Sequence, residues 1–205
     1  MATGNAGGTI CLWNLITKQT RTVLHSEPAK NAQPASQELE LRRRVVHALA
    51  FSPSGKFLAS AGADGVVNLW DGQAERKLFK LLGHSIAFSP DGRILATGSP
   101  DGVVKLWDIA SRPREINTIK GPTGWDLVFS PDSRRLIISN YDKAFAIWDL
   151  STGQRLAVLK GHQASIESVA FSPDGTILAS ASTDKTVRLW RAATRAEADA
   201  EIIAK

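Results

Sequence analysis

Hydrophobic and polar residues follow one another in the same order in four segments of the chain. Each segment has twenty residues, begins with Phe-Ser-Pro and ends with tryptophan; the segments cover residues 51–70, 88–107, 129–148 and 171–190. In the last of them, Val187 and Leu189 alternate with Thr186 and Arg188, which is the period of a half-buried strand. The pattern predicts an all-β chain built from an internal repeat.

Turn signals divide each repeat into short strands. Residues 172–175, Ser-Pro-Asp-Gly, have the proline and the final glycine that favour a type I turn. The Asp-Lys pair at 184–185 replaces the Asp-Gly pairs of two earlier repeats, and such pairs favour a hairpin. A fourth strand is expected after most tryptophans, for example over 155–159. Four antiparallel strands that recur about every forty residues predict a propeller blade.

The tryptophans stand in motifs of a known family. Trp70, Trp107 and Trp148 each belong to a Leu-Trp-Asp or Ile-Trp-Asp triplet, Gly-His pairs stand at 83–84 and 161–162, and a headless fifth copy occupies residues 1–15. On these motifs the sequence resembles the WD-repeat β-propellers. The regular Phe-Ser-Pro-Asp-Gly segments and the terminal stretch 189–199 resemble bacterial members of that family, and this resemblance implies a C-terminal fragment of a longer protein. The resemblance implies four recognisable four-stranded blades plus a partial first blade, in a closed or incomplete ring. It also implies a scaffold for protein–protein interaction rather than an enzyme.

The repeats predict one propeller with irregular ends. We expect a partial blade over 1–25, an inserted loop over 26–44, blades over approximately 45–83, 84–120, 121–160 and 161–193, and a short C-terminal helix over 194–205. The partial blade lacks its innermost strand, and its outer strand is expected over 20–24. The third copy has lost five residues before Phe88, so we expect distortion of the flanking strands at 77–82 and 86–89.

In the resembled family, an aspartate, a histidine, a serine and the tryptophan of each blade form a structural hydrogen-bond network. The matching residues are Asp184, His162, Ser180 and Trp190 in the fifth copy; Asp64, Ser60 and Trp70 in the second; Asp101, Thr97 and Trp107 in the third; and Asp142 and Trp148 in the fourth. The second copy lacks the histidine, His84 is displaced in the third, and the fourth lacks both histidine and serine. Because a buried indole N–H without an acceptor is costly, we expect blades two to four to be held less firmly.

Serine, histidine and aspartate together also suggest a catalytic triad, an interpretation that we reject. A nucleophile needs an exposed hydroxyl and an oxyanion hole, and the sequence supplies neither. The four histidines and one cysteine have no metal-ligand spacing, and the glycine-rich stretches 4–8 and 62–65 suit hairpin turns rather than phosphate loops. We therefore expect no catalytic residue, no metal site and no cofactor.

A binding surface is the better candidate for function. Partners of the resembled propellers commonly sit on the face that carries the turns between the second and third strands and the entry to the innermost strand. The candidate partner-binding residues at those places are Trp125, Tyr141, His47, His84, Glu167 and Thr183. Trp125 and Tyr141 belong to one blade, and aromatic side chains are typical hot spots. The alternative is that both compensate by packing for the missing network.

Composition and charge narrow the choice of partner. The net charge of +5 and the pI near 9.6 would suit an anion, but the basic residues are scattered and the only basic run is 42–44, so nucleic acid is disfavoured. A single cysteine, Cys11, and the lack of a signal or membrane segment favour the cytoplasm. We expect other proteins as partners, and also self-association or completion of the ring by another chain. Two rival functions are a regulatory segment of a larger enzyme, such as a bacterial serine/threonine kinase, and a truncated non-functional remnant.

Overall fold

The computed structural model describes residues 1–24, 45–121, 126–139 and 143–191. Within these ranges the chain forms eighteen β-strands and no helix. The strands are β1 (Ala2–Gly4), β2 (Thr9–Trp13), β3 (Thr20–Leu24), β4 (Val46–Phe51), β5 (Phe57–Gly62), β6 (Val66–Asp71), β7 (Lys77–Leu82), β8 (Ser85–Phe88), β9 (Ile94–Gly98), β10 (Val103–Asp108), β11 (Arg114–Lys120), β12 (Leu127–Phe129), β13 (Arg135–Ser139), β14 (Ala144–Asp149), β15 (Arg155–Lys160), β16 (Ile166–Phe171), β17 (Ile177–Ser182) and β18 (Val187–Arg191).

The strands form five antiparallel sheets, each a meander in which neighbours in sequence pair. The sheets are β1–β3, β4–β7, β8–β11, β12–β15 and β16–β18. The predicted all-β fold is confirmed, and the arrangement is that of an incomplete β-propeller. The first sheet starts with the counterpart of a second strand, and its outer strand β3 lies at the predicted place. The fifth sheet has three strands in the described range, and the helix predicted over 194–205 lies outside it.

One register repeats from sheet to sheet. The tryptophan one residue before the end of each third strand pairs with the leucine at the second position of the preceding strand: Leu58 with Trp70, Leu95 with Trp107, Leu136 with Trp148, and Leu178 with Trp190. In the three four-stranded sheets a bulge precedes the tryptophan on the side of the outer strand. The identical register places equivalent side chains on equivalent faces throughout the chain.

An apolar cluster lies in each of the four spaces between consecutive sheets. Residues of a strand point alternately to its two faces, so Leu58 and Trp70 face the first sheet, where they pack with Ile10. Val67 and Leu69 point to the opposite face and pack against the third sheet. Further clusters join the third sheet to the fourth and the fourth to the fifth. Every interior sheet is therefore buried on both faces.

The short connection between the second and third sheets is made by two residues. The outer strand β7 keeps six residues, so the expected distortion is absent there, whereas the inner strand β8 has only four. Gly83 has a φ of 151°, and a Cβ at this position would lie 2.9 Å from the Cβ of Thr97. His84 N–H donates to the carbonyl of Gly98 at 2.7 Å and so starts the third sheet. The five-residue deletion is thus accommodated by the positive φ of Gly83 and by a shortened inner strand, β8. The loop predicted over 26–44 is outside the described residues.

Candidate functional site

Four polar side chains of the fifth sheet form one chain of hydrogen bonds. The indole Nε1–H of Trp190 donates to Ser180 Oγ at 2.8 Å, and Ser180 Oγ lies 2.8 Å from His162 Nε2. On the other side of the ring, His162 Nδ1 lies 2.8 Å from Asp184 Oδ2. With the ring proton on Nδ1, Ser180 accepts from the indole and donates to Nε2, so that every group has a partner.

The local fold positions this network. Ser180 is two residues beyond Leu178, the partner of Trp190 across the strand pair, so serine and indole lie on the same face. The ring of Trp190 also packs edge-on against Phe145 of the fourth sheet, with centroids 5.2 Å apart. The network thus fixes the position of the tryptophan that packs between the fourth and fifth sheets.

Asp184 sits in the hairpin turn between β17 and β18. The hydroxyl of Thr186, with the backbone N–H of Gln163 and the ring of His162, holds the pKa of its carboxyl well below the usual range. The N–H of Gln163 donates to Oδ2 at 2.9 Å, and the N–H of Thr186 donates to Oδ1 at 2.9 Å. The carboxylate therefore ties the turn to the segment that leads into β16.

The other sheets keep only parts of this network. Trp70 donates to Ser60 at 2.9 Å and Trp107 donates to Thr97 at 3.0 Å. In the fourth sheet, Ile138 replaces the hydroxyl residue, and the buried indole N–H of Trp148 has no acceptor among the described residues. Asp64 and Asp101 accept from backbone N–H groups in their own turns, while Asp142 lies outside the described ranges.

One link was missed by the reasoning from sequence. Trp13 donates to the hydroxyl of Thr3 at 3.0 Å. The signal was available, since residues 1–15 align with residues 95–109 and place Thr3 on Thr97 and Trp13 on Trp107. The first sheet therefore carries the same tryptophan–hydroxyl pair as the second, third and fifth.

The displaced histidine lies at the boundary between the second and third sheets. His84 contacts the turn at Gly65, where an added Cβ would come within 3.3 Å of the ring. Burial, with His47 nearby, lowers the pKa of His84, and the carboxylates of Asp64 and Asp101 act in the opposite direction. The structure thus places His84 against the turn at Gly65 and within electrostatic reach of His47, rather than building a second copy of the complete network.

The remaining candidate binding residues lie at the same end of the strands. His47 on β4, Glu167 on β16 and Thr183 in the turn that follows β17 are exposed. Glu167 is the extra residue of a bulge between β16 and β17, which frees its side chain from the pairing. Trp125 and Tyr141 lie outside the described residues, so their relation to this group stays a prediction.

Asp126 is a further polar residue that the sequence did not single out. Its Oδ2 accepts from the backbone N–H of Val169 at 2.8 Å, which links the entry of β12 to the neighbouring inner strand β16. Burial raises the pKa of the Asp126 carboxyl, against the hydrogen bonds from Val169 and Ser168. A charged side chain at this place spans the boundary between the fourth and fifth sheets.

The described part of the chain contains no group of three or more histidine, cysteine, aspartate or glutamate side chains able to hold a metal ion. It also contains no helix with the length and apolar character needed to cross a membrane.

Five consecutive antiparallel meanders in one register, four of which tie a tryptophan to a hydroxyl side chain, define a repeat protein of the propeller class. The family model described as "WD domain, G-beta repeat" matches residues 40–71, 76–108, 113–149 and 153–191, well over half of the chain. The chain therefore belongs to the WD-repeat family.

Single repeats are also similar to named eukaryotic proteins. The chain is 58% identical over 38 residues to "Protein Mut11" of Chlamydomonas reinhardtii, which covers 18% of this chain and 10% of that protein. It is 56% identical over 39 residues to the "Periodic tryptophan protein 2 homolog" of Mus musculus, covering 19% and 4%. It is 49% identical over 41 residues to the "Serine-threonine kinase receptor-associated protein" of Dictyostelium discoideum, covering 20% and 14%. The matches span a small part of each relative, and the bacterial type and the C-terminal fragment stay predictions.

Proposed function

We propose that this chain is a non-catalytic scaffold that holds other proteins on the face formed by the entries to the inner strands. The observation that carries the proposal is the closed network of the fifth sheet. Ser180 is only 1% exposed and His162 only 4%, and every polar atom of the set is engaged within the sheet. Because a nucleophile has to reach its substrate, this set serves stability rather than catalysis.

The proposed partner-binding face combines exposed polar side chains on a stiff support. His47 is exposed on the second sheet, Glu167 and Thr183 are exposed on the fifth at the same end of the strands, and His47 is near enough to His84 to lower its pKa. We include Trp125 and Tyr141 on the basis of sequence position, since aromatic side chains at a binding face contribute large contact areas. The single cysteine, Cys11, supports a cytoplasmic location for this scaffold.

The test is capture of partners from the source cell by the tagged 205-residue chain, quantified by mass spectrometry. Two double variants remove the proposed contacts, His47→Ala with Glu167→Ala and Trp125→Ala with Tyr141→Ala. Arg134→Gln is the control, because Arg134 is exposed at the opposite ends of the strands. Loss of the same partners with both double variants, but not with the control, supports the proposal. Unchanged capture by folded double variants contradicts it.

A second candidate function is self-association through the two uncovered sheet faces. Val187 and Leu189 of the fifth sheet are 67% and 69% exposed, although their counterparts Val67 and Leu69 are completely buried. At the other end, Met1 and Trp13 are exposed, whereas their counterparts in the second sheet are buried. At each boundary between two sheets, the face that carries the counterparts of Val187 and Leu189 packs on the face of the next sheet that carries the counterparts of Met1 and Trp13. We therefore propose a second copy of this chain as the occupant, in a head-to-tail contact.

Light scattering after size-exclusion chromatography tests this second candidate. We expect a concentration-dependent dimer or larger assembly that is abolished by Leu189→Lys, while Leu156→Lys, an exposed leucine of the fourth sheet, is the matched control. A monomer at all concentrations contradicts self-association, and binding of a different protein at these faces would point to ring completion by another chain. No observation in the described residues favours an enzyme segment or a non-functional remnant.

A further inference from the structure

A cleft of about 430 Å³ lies between the fourth and fifth sheets, at the ends of the strands where the Ser-Pro-Asp turns are found. Its wall is mainly apolar and is formed by Ile147, Leu159, Phe171, Leu178 and Trp190. This is the end opposite to the proposed partner-binding face. The volume lies in the range of natural small-molecule sites, roughly 300 to 1,000 Å³, and so leaves room for a leucine or phenylalanine side chain.

The corresponding space is filled at the two preceding boundaries. Ile109, which follows the Trp-Asp pair of the third sheet, is 1% exposed and packs with Leu69 and Leu81 of the second sheet. Its N–H is fixed by the carbonyl of Arg93 at 3.0 Å. Leu150 holds the equivalent place after the Trp-Asp pair of the fourth sheet and packs against the cluster of the third and fourth sheets.

The sequence of the fifth repeat departs from this pattern. After Trp190 it continues Arg-Ala instead of Asp-Ile or Asp-Leu, so the aligned residue is Ala192, which lies outside the described ranges. A methyl group stands in the sequence where the other two repeats have a four-carbon side chain. The cleft thus occurs at the boundary whose repeat lacks the filling residue.

The charged side chains at the rim of the cleft differ in whether they are already hydrogen-bonded within the chain. Asp132 accepts from the hydroxyl of Ser130 and from the N–H of Arg134, and Asp174 accepts from the hydroxyl of Ser172. These hydrogen bonds lower the pKa of both carboxyls and engage them within their own turns. Arg135, by contrast, is exposed, and although its charge helps to lower the pKa of the Asp132 carboxyl, its guanidinium group makes no hydrogen bond or ion pair with any described residue.

We propose that this cleft binds a short linear peptide segment of a partner protein, which inserts one leucine-sized or phenylalanine-sized side chain and places an adjacent carboxylate on Arg135. The apolar wall provides burial for the side chain. The guanidinium group provides a bidentate, charge-assisted contact for the carboxylate. The proposal rests on the scaffold function, but it assigns a second surface, on the other end of the strands from His47 and Glu167.

Fluorescence anisotropy of labelled peptides with the full 205-residue chain tests the site. The probe is acetyl-Gly-Glu-Leu-Phe-Glu-Gly, and the comparison peptide has glutamine in place of both glutamates. The substitution Arg135→Gln should weaken binding of the acidic probe roughly tenfold and should leave the glutamine peptide almost unchanged. The matched control is Arg134→Gln, since Arg134 belongs to the same turn but does not line the cleft; its affinity should equal that of the parent chain.

A second variant probes the apolar wall. The substitution Ile147→Phe adds volume inside the cleft and should weaken both peptides by a similar factor, with circular dichroism used to verify that the variant is folded. Lack of saturable binding of the acidic probe at millimolar concentration overturns the proposal. Equal effects of the substitutions at positions 134 and 135 overturn it as well, because they would reduce the contact to general charge attraction.

The two proposals fail in different ways. If partner capture depends on His47 and Glu167 but is unaffected by Arg135→Gln and Ile147→Phe, and if the probe does not bind, the cleft carries no peptide and the scaffold function stands. If the probe binds as expected but the variants of the opposite face capture partners normally, the cleft is supported and the proposed partner-binding face is contradicted.

Discussion

The indole N–H of Trp190 and the hydroxyl of Ser180 lie 2.8 Å apart, and this contact is the inner end of a chain of hydrogen bonds that reaches the surface. Trp148 occupies the same place one sheet earlier without such a partner, because Ile138 stands where the hydroxyl residue would be. The same repeat therefore shows two ways of burying a tryptophan. In one, the polar group is satisfied; in the other, additional apolar packing offsets an unsatisfied donor.

The two kinds of tryptophan should respond differently to removal of the indole N–H. Trp70→Phe deletes the hydrogen bond to the buried Ser60, whereas Trp148→Phe deletes only a donor without an acceptor. We expect the free energy of unfolding to fall more for Trp70→Phe, by about 1 to 2 kcal/mol. Chemical denaturation of the two variants measures this difference. Equal losses would show that ring volume alone determines the cost.

The hairpin aspartates offer a second comparison. Asp184→Ala removes hydrogen bonds to His162, Gln163 and Thr186, whereas Asp101→Ala removes a turn contact to Val103. Asp184→Ala should therefore lower the melting temperature more than Asp101→Ala, and also more than Asp142→Ala. Because the folded pKa of Asp184 is lowered, its contribution should be present at neutral pH and lost as the pH falls below about 4. Equal melting shifts for the variants at pH 7 would contradict a special role for the fifth sheet.

The carboxyl of Asp126 should make the stability of the fold depend on pH in the opposite direction to that of Asp184. Burial raises its folded pKa, so its stabilising contribution is complete below the unfolded pKa, about 4, and is lost as the pH rises through the folded pKa. Asp126→Asn removes the charge and keeps an oxygen that can accept from Val169. We expect a higher melting temperature than the parent chain at pH 7 and a shrinking advantage toward pH 4. A variant that is less stable at every pH would mean that the charge-assisted hydrogen bond outweighs the cost of burial.

The shortened connection gives a prediction about the backbone. Gly83→Ala combines an unfavourable φ of 151° with a Cβ only 2.9 Å from that of Thr97. Gly55→Ala is a suitable control, since Gly55 also has a positive φ, +69°, but open space around the added methyl. Gly83→Ala should be more destabilising than Gly55→Ala by about 1 to 2 kcal/mol. If the two variants have similar thermal denaturation curves, the loss of stability comes from the positive φ alone and not from the contact with Thr97.

Most of the fold could be predicted from the sequence because the twenty-residue repeat occurs four times without a change in length. The turn signals give the strand order, and β3 of the first sheet lies over the predicted residues 20–24. The deletion before β8 was visible in the sequence, but its structural solution was not. Either flanking strand could have been shortened. The structure shortens the inner strand β8 and places Gly83 where Thr97 leaves no room for a Cβ.

The site was predictable only where it copies the family pattern. Asp184, His162, Ser180 and Trp190 follow from their positions, whereas Asp126 does not, because its partner Val169 lies 43 residues away and is reached only when two sheets pack. The cleft is a similar case. The replacement of Asp-Ile or Asp-Leu by Arg-Ala after Trp190 is visible in the sequence, but the cleft itself appears only when the fourth and fifth sheets pack together.

Each sheet in the described chain is held mainly by the sheets directly before and after it, with clusters between neighbours and uncovered faces at both ends. Such an arrangement behaves as a one-dimensional series of coupled units. Opening is then least costly at the terminal units, which lose one boundary instead of two. Amide hydrogen exchange should accordingly be slowest in the second, third and fourth sheets, and covering the two outer faces should slow exchange throughout the series.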